Sequence, residues 1–303
     1  MKPWWRNRDF ILVSAVLCGL AVGRGANWTQ PLVLPALAVV MTLSTMAVRS
    51  EMLRSPRQLW RPVLSGLLLN YLVLGGILLG LSFLIIQEPA MKDGFVLLVA
   101  VPPAIAVIPF TEFLRGNTTY SLLATVACYL GALIITPLIA LEVWGTSFID
   151  PGLLVMVIVE LIAAPLLISR VLLWTSVAAR LEPIKGTITN WSFFVVMYTI
   201  VGMNRELFLQ RPLSLVPVAV IALFSTFLLG AVIAKVGRSM GIDRSTLTSL
   251  VLLGTLKNYG IAGGLALTLF SKKTAIPAAV SSVFMIVYII WLNFEKRRLN
   301  PDP

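Results

Sequence analysis

The stretch Phe95-Val-Leu-Leu-Val-Ala-Val-Pro-Pro-Ala-Ile-Ala-Val-Ile-Pro-Phe-Thr-Glu112 is apolar enough to span a membrane, yet it cannot be one continuous helix. Pro102 and Pro103 stand side by side at its middle, and Pro109 follows. Each proline deletes a backbone donor and drives the residue before it out of helical geometry, so the chain is expected to unwind there. Unwound backbone carries N–H and C=O groups that hydrocarbon cannot satisfy. It must be buried in protein or line a cavity.

A second interruption stands in a matching place. Ser245 to Phe270 is also an apolar run, and its centre reads Gly254-Thr-Leu-Lys-Asn-Tyr-Gly260, followed by Gly263 and Gly264. Flexible and polar residues again occupy the midplane, the ammonium of Lys257 among them. Glycine and proline are frequent in membrane helices as kinks and close-packing points, so a single break carries little weight. Two breaks in register, one with a lysine, point to a site built from discontinuous helices, as in secondary transporters. The half-helix N-termini that follow such breaks present N–H groups and positive dipole ends suited to an anion.

Composition agrees with a chain that lives mostly in lipid: of 303 residues, 58% are apolar and 12% charged. Charges fall in short clusters between apolar runs of about 20 residues, the length of a spanning helix. These windows predict ten spans, near 9–23, 31–48, 63–86, 95–114, 119–141, 152–174, 189–203, 212–236, 245–270 and 275–294. The seventh, bracketed by Asn190 and Asn204, is the shortest. Met1 to Gly23 has the basic start of a signal peptide but no convincing cleavage pattern, and reads as the first span. Cys18 and Cys128 lie in apolar runs and read as small hydrophobes. The sequence has no histidine, which removes the commonest metal ligand and proton shuttle. With no paired acids, nucleophile-base set or metal cluster visible, an enzyme ranks last, and no organic cofactor is expected.

Ten spans put both termini on one side. That side holds 17 of the 24 lysines and arginines against 6 opposite, with Lys257 left inside a span. The skew places both termini in the cytoplasm, and the expected location is a bacterial inner membrane. It also accounts for the net charge of +11 without any nucleic-acid partner. Because spans four and nine lie five apart, the halves 1–150 and 151–303 are expected to run in opposite directions across the bilayer, as inverted five-helix repeats.

At these residues a family resemblance emerges. Val101-Pro102-Pro103, the run Gly116-Asn117-Thr118-Thr119-Tyr120-Ser121-Leu122-Leu123-Ala124-Thr125 and the segment Lys257-Asn258-Tyr259-Gly260-Ile261-Ala262 resemble the bile acid:sodium symporter family. The resemblance implies an all-α, ten-helix fold. A panel domain would come from spans 1, 2, 6 and 7, and a core domain from spans 3–5 and 8–10, with the broken spans four and nine crossing in the core. It also implies that sodium is held by oxygen ligands. Ser121 and Thr125 match hydroxyl ligands of the fifth span, and Asn70 sits where the third span offers a glutamine. The sequence departs from the pattern where the Ser-Asn pair of the fourth span falls on Val107 and Ile108, the acidic ligand of the ninth on Leu253, and its glutamine on Lys257. A hard cation needs several oxygens, so these changes weaken any sodium site.

Lys257 is the most informative residue, since an ionisable group at midplane depth is costly and functional by default. Its ammonium is expected to stand where relatives hold sodium, near Asn70, Ser121, Thr125 and unwound carbonyls, and to exchange a proton or leave transport uncoupled, with sodium coupling kept as an alternative. A structural ion pair with Glu160 or Glu112 is the plainer alternative. The expected binding residues are Asn70, Pro102, Pro103, Ser121, Thr125, Gly254, Thr255, Lys257, Asn258 and Gly260. Expected partners are a small organic anion and the lipid bilayer, with a monomer sufficient for function. A transporter-like receptor that binds without net transport is the competing reading.

Overall fold

The computed structural model describes residues 8–46, 56–145, 156, 159–210 and 212–299. Among them every regular element is helical, and the one strand-like contact is an isolated antiparallel bridge between Pro103 and Lys257. In chain order the main helices are α1 (Arg8–Ala21), α2 (Val33–Thr45), α3 (Pro56–Leu67), α4 (Gly75–Ile85), α5 (Pro89–Ala100), α6 (Val107–Phe113) and α7 (Thr118–Trp144). The second half contributes α8 (Ala164–Leu173), α9 (Val177–Met203), α10 (Val216–Leu223), α11 (Leu229–Ser239), α12 (Arg244–Leu253), α13 (Tyr259–Leu269) and α14 (Ile276–Leu299). Wide π turns join α3 to α4 at Leu68–Leu74 and α10 to α11 at Phe224–Leu228, and another precedes α8 at Val159–Ala163. Such turns recur at functional positions inside helices.

Six helical stretches are long and apolar enough to cross a membrane: Gly23–Leu43, Leu59–Ile85, Thr118–Trp144, Val177–Met203, Pro212–Ser239 and Lys273–Glu295. They coincide with the expected second, third, fifth, seventh, eighth and tenth spans. The expected first span contains the shorter apolar helix Phe10–Ala21. Of the sixth, Ala164–Leu173 is described, while 151–155 and 157–158 lie outside the described residues. The fourth and ninth are each divided in two. One expectation needs correction: the seventh span is not short. Its helix runs 27 residues, because Arg180, Glu182 and Lys185 continue the helix instead of ending it. Lys185 and Glu182 pair at 2.6 Å on one exposed face, which suits a helix projecting beyond the apolar layer.

Helix faces sort by polarity in the sense lipid requires. On α7, Leu130, Ile134, Leu138 and Leu141 are exposed, while Ser121, Thr125, Tyr129 and Thr136 are buried on the inner side. Two groups of helices result. In one, α1 packs along α9, α9 along α2, and α2 along α8. In the other, α3, α6 and α12 pack on α7, α4 on α5, and α5, α10 and α13 on α14. The groups meet where α13 lies against α2 and α9. Glycines permit this approach: a Cβ on Gly260 or Gly264 would come within 3.0 Å of the Leu37 side chain.

Candidate functional site

The site begins with two missing donors. In a continuous helix the amides of residues 102 and 103 would bond to the carbonyls of Leu98 and Val99, four residues back. Prolines supply no N–H, so α5 ends at Ala100 and Val101 turns extended, with ψ of 152°. Pro109 then sits in the first turn of α6, where a missing amide costs no intrahelical bond. The opposite break lies between Leu253, the end of α12, and Tyr259, the start of α13.

The two breaks are tied to each other through backbone. Asn258 N–H donates to Pro102 O at 3.0 Å, and Ala104 N–H to Leu256 O at 3.4 Å. Side chains satisfy the remaining carbonyls. Tyr129 Oη donates to Pro103 O at 3.0 Å and Thr136 Oγ1 to Ala100 O at 2.7 Å. Asn70 Nδ2, projecting from the π turn, donates to Leu253 O at 3.1 Å and to Leu256 O at 3.3 Å. Asn258 caps α13 through its oxygen, which accepts from Ile261 N–H at 3.0 Å, and its Nδ2 donates to Tyr129 Oη at 2.8 Å. An unpaired buried carbonyl costs about 1–3 kcal/mol, so this set of bonds is what permits unwound chain in an apolar interior.

Lys257 completes the arrangement. Fully buried, its Nζ donates to Asn70 Oδ1 at 2.7 Å, Val101 O at 2.9 Å and Val99 O at 3.0 Å. One of these is a carbonyl that Pro103 orphans. The nitrogen also lies 4.5 Å from the centroid of the Tyr71 ring, whose hydroxyl donates to Cys128 O at 3.1 Å.

Asn70, Pro102, Pro103, Lys257 and Asn258 are thus brought into one network. Gly254 and Thr255 lie beside it: Thr255 Oγ1 bonds back to Val251 O at 2.7 Å, and a Cβ on Gly254 would come within 2.5 Å of Ile233. Ser121 is engaged elsewhere, its hydroxyl sharing a 2.7 Å hydrogen bond with Thr111. Thr125 Oγ1 is buried with no hydrogen-bond partner and borders a small cavity with Ile108, Tyr129 and Leu166. Lys257 is therefore held by Asn70 and carbonyls and not by the two α7 hydroxyls. Nor do the carboxylates pair with it. Glu112 and Glu160 are both exposed, and among the described residues Lys257 makes no ion pair. Val107 and Leu253 are buried alkyl groups, and Ile108 lines the cavity beside Thr125.

Sequence reasoning missed Tyr71, Tyr129 and Thr136, together with the carbonyls of Val99 and Val101. A signal existed for two of them. Ser121, Thr125, Tyr129 and Thr136 recur at spacings of four, four and seven, a polar stripe along one face of an apolar helix. Above the network lies a cleft. Leu12, Phe193 and Met197 form one wall, and Ala104, Ile105 and Tyr259 of the broken segments form the other.

Interrupted apolar helices bound to each other at their breaks, beneath a cleft and among membrane-length helices, define the class of multi-pass membrane transporters. The model of the Sodium Bile acid symporter family matches residues 34–211, more than half of the chain, and the chain belongs to that family. It is 24% identical over 285 residues to the uncharacterized sodium-dependent transporter YocS of Bacillus subtilis, covering 91% of this chain and 85% of that one. It is 28% identical to the probable chloroplastic sodium/metabolite cotransporter BASS1 of rice, covering 98% of this chain and 70% of the relative. The Arabidopsis thaliana protein of the same name is 25% identical, with 88% and 67% covered. The chain is an integral membrane transporter of this family, and the family's members are transporters, not enzymes.

Proposed function

We propose that the chain is a secondary transporter of a small organic anion that works by alternating access. The group containing the broken helices would be the core, rocking against a panel of α1, α2, α8 and α9. The observation that carries this reading is the cleft. It lies between the two helix groups and is floored by the two segments where described core helices unwind. The first turn of α13 borders it at Tyr259 and Gly260, with the positive end of the helix dipole and the ammonium of Lys257 close behind. Both favour a substrate with a negative group, and the apolar walls favour a carbon skeleton attached to it.

An inverted repeat of 1–150 on 151–303 is supported by the backbone. Pro103 and Lys257, joined in an antiparallel bridge, stand 154 residues apart. Shifting the π turn Leu68–Leu74 by the same interval reaches 222–228, which contains the π turn Phe224–Leu228. An antiparallel bridge between equivalent residues is what a local two-fold axis at the crossing of spans four and nine would produce. One chain contains the whole site, so a monomer suffices. The charge skew favours both termini in the cytoplasm, in a bacterial inner membrane.

Relatives are named for sodium, and a hard cation takes several oxygen ligands. Here Val107, Ile108 and Leu253 offer no side-chain oxygen, Ser121 is engaged with Thr111, and Thr125 stands alone in an apolar cavity. Coupling therefore rests on Lys257, as a proton carrier or as a replacement for the ion. The test is a thermal-shift screen of organic anions, followed by counterflow of each stabilising anion in proteoliposomes. Exchange of labelled for unlabelled anion is expected. Stabilisation without exchange would replace this reading with a ligand-binding receptor.

A further inference from the structure

We infer that Lys257 is a built-in cation: its ammonium stays protonated and fills a cation position at the crossing, so no exchangeable cation travels with the substrate. The geometry is that of an ion site. Unwound carbonyls and the C-terminal ends of half-helices are the groups that hold cations in discontinuous-helix carriers. Nζ is placed against two of this kind, Val99 O and Val101 O at the C-terminal end of α5, and against the side-chain amide oxygen of Asn70. The dipole of α5 adds negative potential at the same point, and the face of the Tyr71 ring closes a further side.

The count of donors selects the protonated form. An ammonium has three N–H bonds, and three acceptors stand at 2.7–3.0 Å. A neutral amine has two N–H bonds and a lone pair. In this cage the lone pair would face an oxygen and leave one buried acceptor unpaired. Titratable groups around the nitrogen include Tyr71 and Cys128, with Tyr129 bonded to the neighbouring Asn258, and among the described residues no carboxylate forms an ion pair with it. Because the amine is tethered through its own backbone at the break, it cannot leave with the substrate as a bound ion does.

One consequence rests on the transporter reading above: each turnover moves the substrate's own charge. A monoanion then equilibrates with the membrane potential, about 50-fold per 100 mV in favour of the positive side.

The cage can be tested without knowing the substrate. Thermal unfolding of the purified protein in detergent is followed by tryptophan fluorescence in sodium, potassium and choline chloride at equal ionic strength, across neutral pH. The native protein is expected to unfold at the same temperature in all three salts, with no step near neutrality. Lys257→Ala, which leaves a space shaped like n-propylammonium, is expected to unfold several degrees lower. It should recover with n-propylammonium chloride and not with 1-propanol. Saturable stabilisation of the native protein by sodium over choline would overturn the inference, as would loss of stability as the pH rises through neutrality. Should Lys257→Ala fail to fold, the measurements on the native protein decide alone. Absence of counterflow for every anion would remove the transport reading and its voltage dependence while leaving the cage result standing.

Discussion

Replacing Asn70 by leucine removes the single side chain that bonds the π turn of one helix to the break of another and to Lys257. Asn70 is fully buried, and all three of its hydrogen bonds would be lost. The bond from Lys257 is charge-assisted and contributes about 1.5–3 kcal/mol, and each of the two donated to Leu253 O and Leu256 O about 0.5–1.5 kcal/mol. Interhelical bonds in membranes have measured values toward the low end of such ranges, because the unfolded state in lipid also finds partners. Asn70→Leu is therefore expected to cost about 2.5–4 kcal/mol, and at roughly 2–4 °C per kcal/mol its unfolding midpoint in detergent should fall on the order of 10 °C. Asn70→Asp keeps an acceptor for Lys257 but loses both donors, and should fall between the two. A stability for Asn70→Leu within about 0.5 kcal/mol of the native protein, the ordinary range of surface substitutions, would show that this network does not hold the breaks together.

Two smaller perturbations probe the supports of the site. A Cβ at Gly230 would run into the hydroxyl of Tyr288, a buried ring stacked 5.8 Å from Trp291 and edge-on to Phe227 at 4.9 Å. Gly230→Ala is expected to destabilise by about 1–3 kcal/mol, and adding Tyr288→Phe should return part of it in a double-mutant cycle; additive costs would place the strain elsewhere. Asp243 caps α12, its carboxylate accepting from Ser245 Oγ at 2.6 Å and Thr246 N–H at 2.9 Å. These bonds, the serine hydroxyl first, hold its pKa down at about 2. Because the folded value lies below the unfolded one near 3.9, the stabilisation is complete above about pH 4 and fades as the pH falls toward 2. Asp243→Ala should thus cost about 1 kcal/mol at neutral pH, and the gap from the native protein should close on acidification.

What the sequence disclosed and what it hid follow a physical division. Proline announces itself because its effect on backbone is local and independent of partners, so the break at Pro102 and Pro103 could be read directly. A lysine at midplane depth is equally conspicuous, since few environments tolerate it. Partner choice is not local. Asn70 and the hydroxyls Ser121 and Thr125 looked equivalent as neighbours for the ammonium, and nothing in their spacing revealed that Ser121 would turn to Thr111. The carbonyls of Val99 and Val101 have no sequence signature beyond the prolines that free them. Tyr129 was visible only as a member of a buried stripe. Polar residues misled at the seventh span: Asn190, which brackets its apolar run, lies inside a helix that continues back to Val177.

The two breaks are complementary in chemistry. The first is made by prolines, which remove donors and leave acceptors. The second is made around Gly254 and Gly260 and keeps its amides, and it adds a lysine and an asparagine. Acceptors exposed by the prolines thus meet donors supplied by the opposite segment: Pro102 O meets the amide of Asn258, and Val99 O meets Lys257. Neither break could be buried alone, because each holds groups whose partners lie in the other: Pro102 O takes the amide of Asn258, and Leu256 O that of Ala104. A pair built this way is stable only when assembled, which fixes the crossing point while Ala104 to Ala106 and Tyr259 to Gly260 of the same segments border the cleft. A lysine serves that design better than the glutamine of the family pattern, since an amide offers two donors where this cage presents three acceptors.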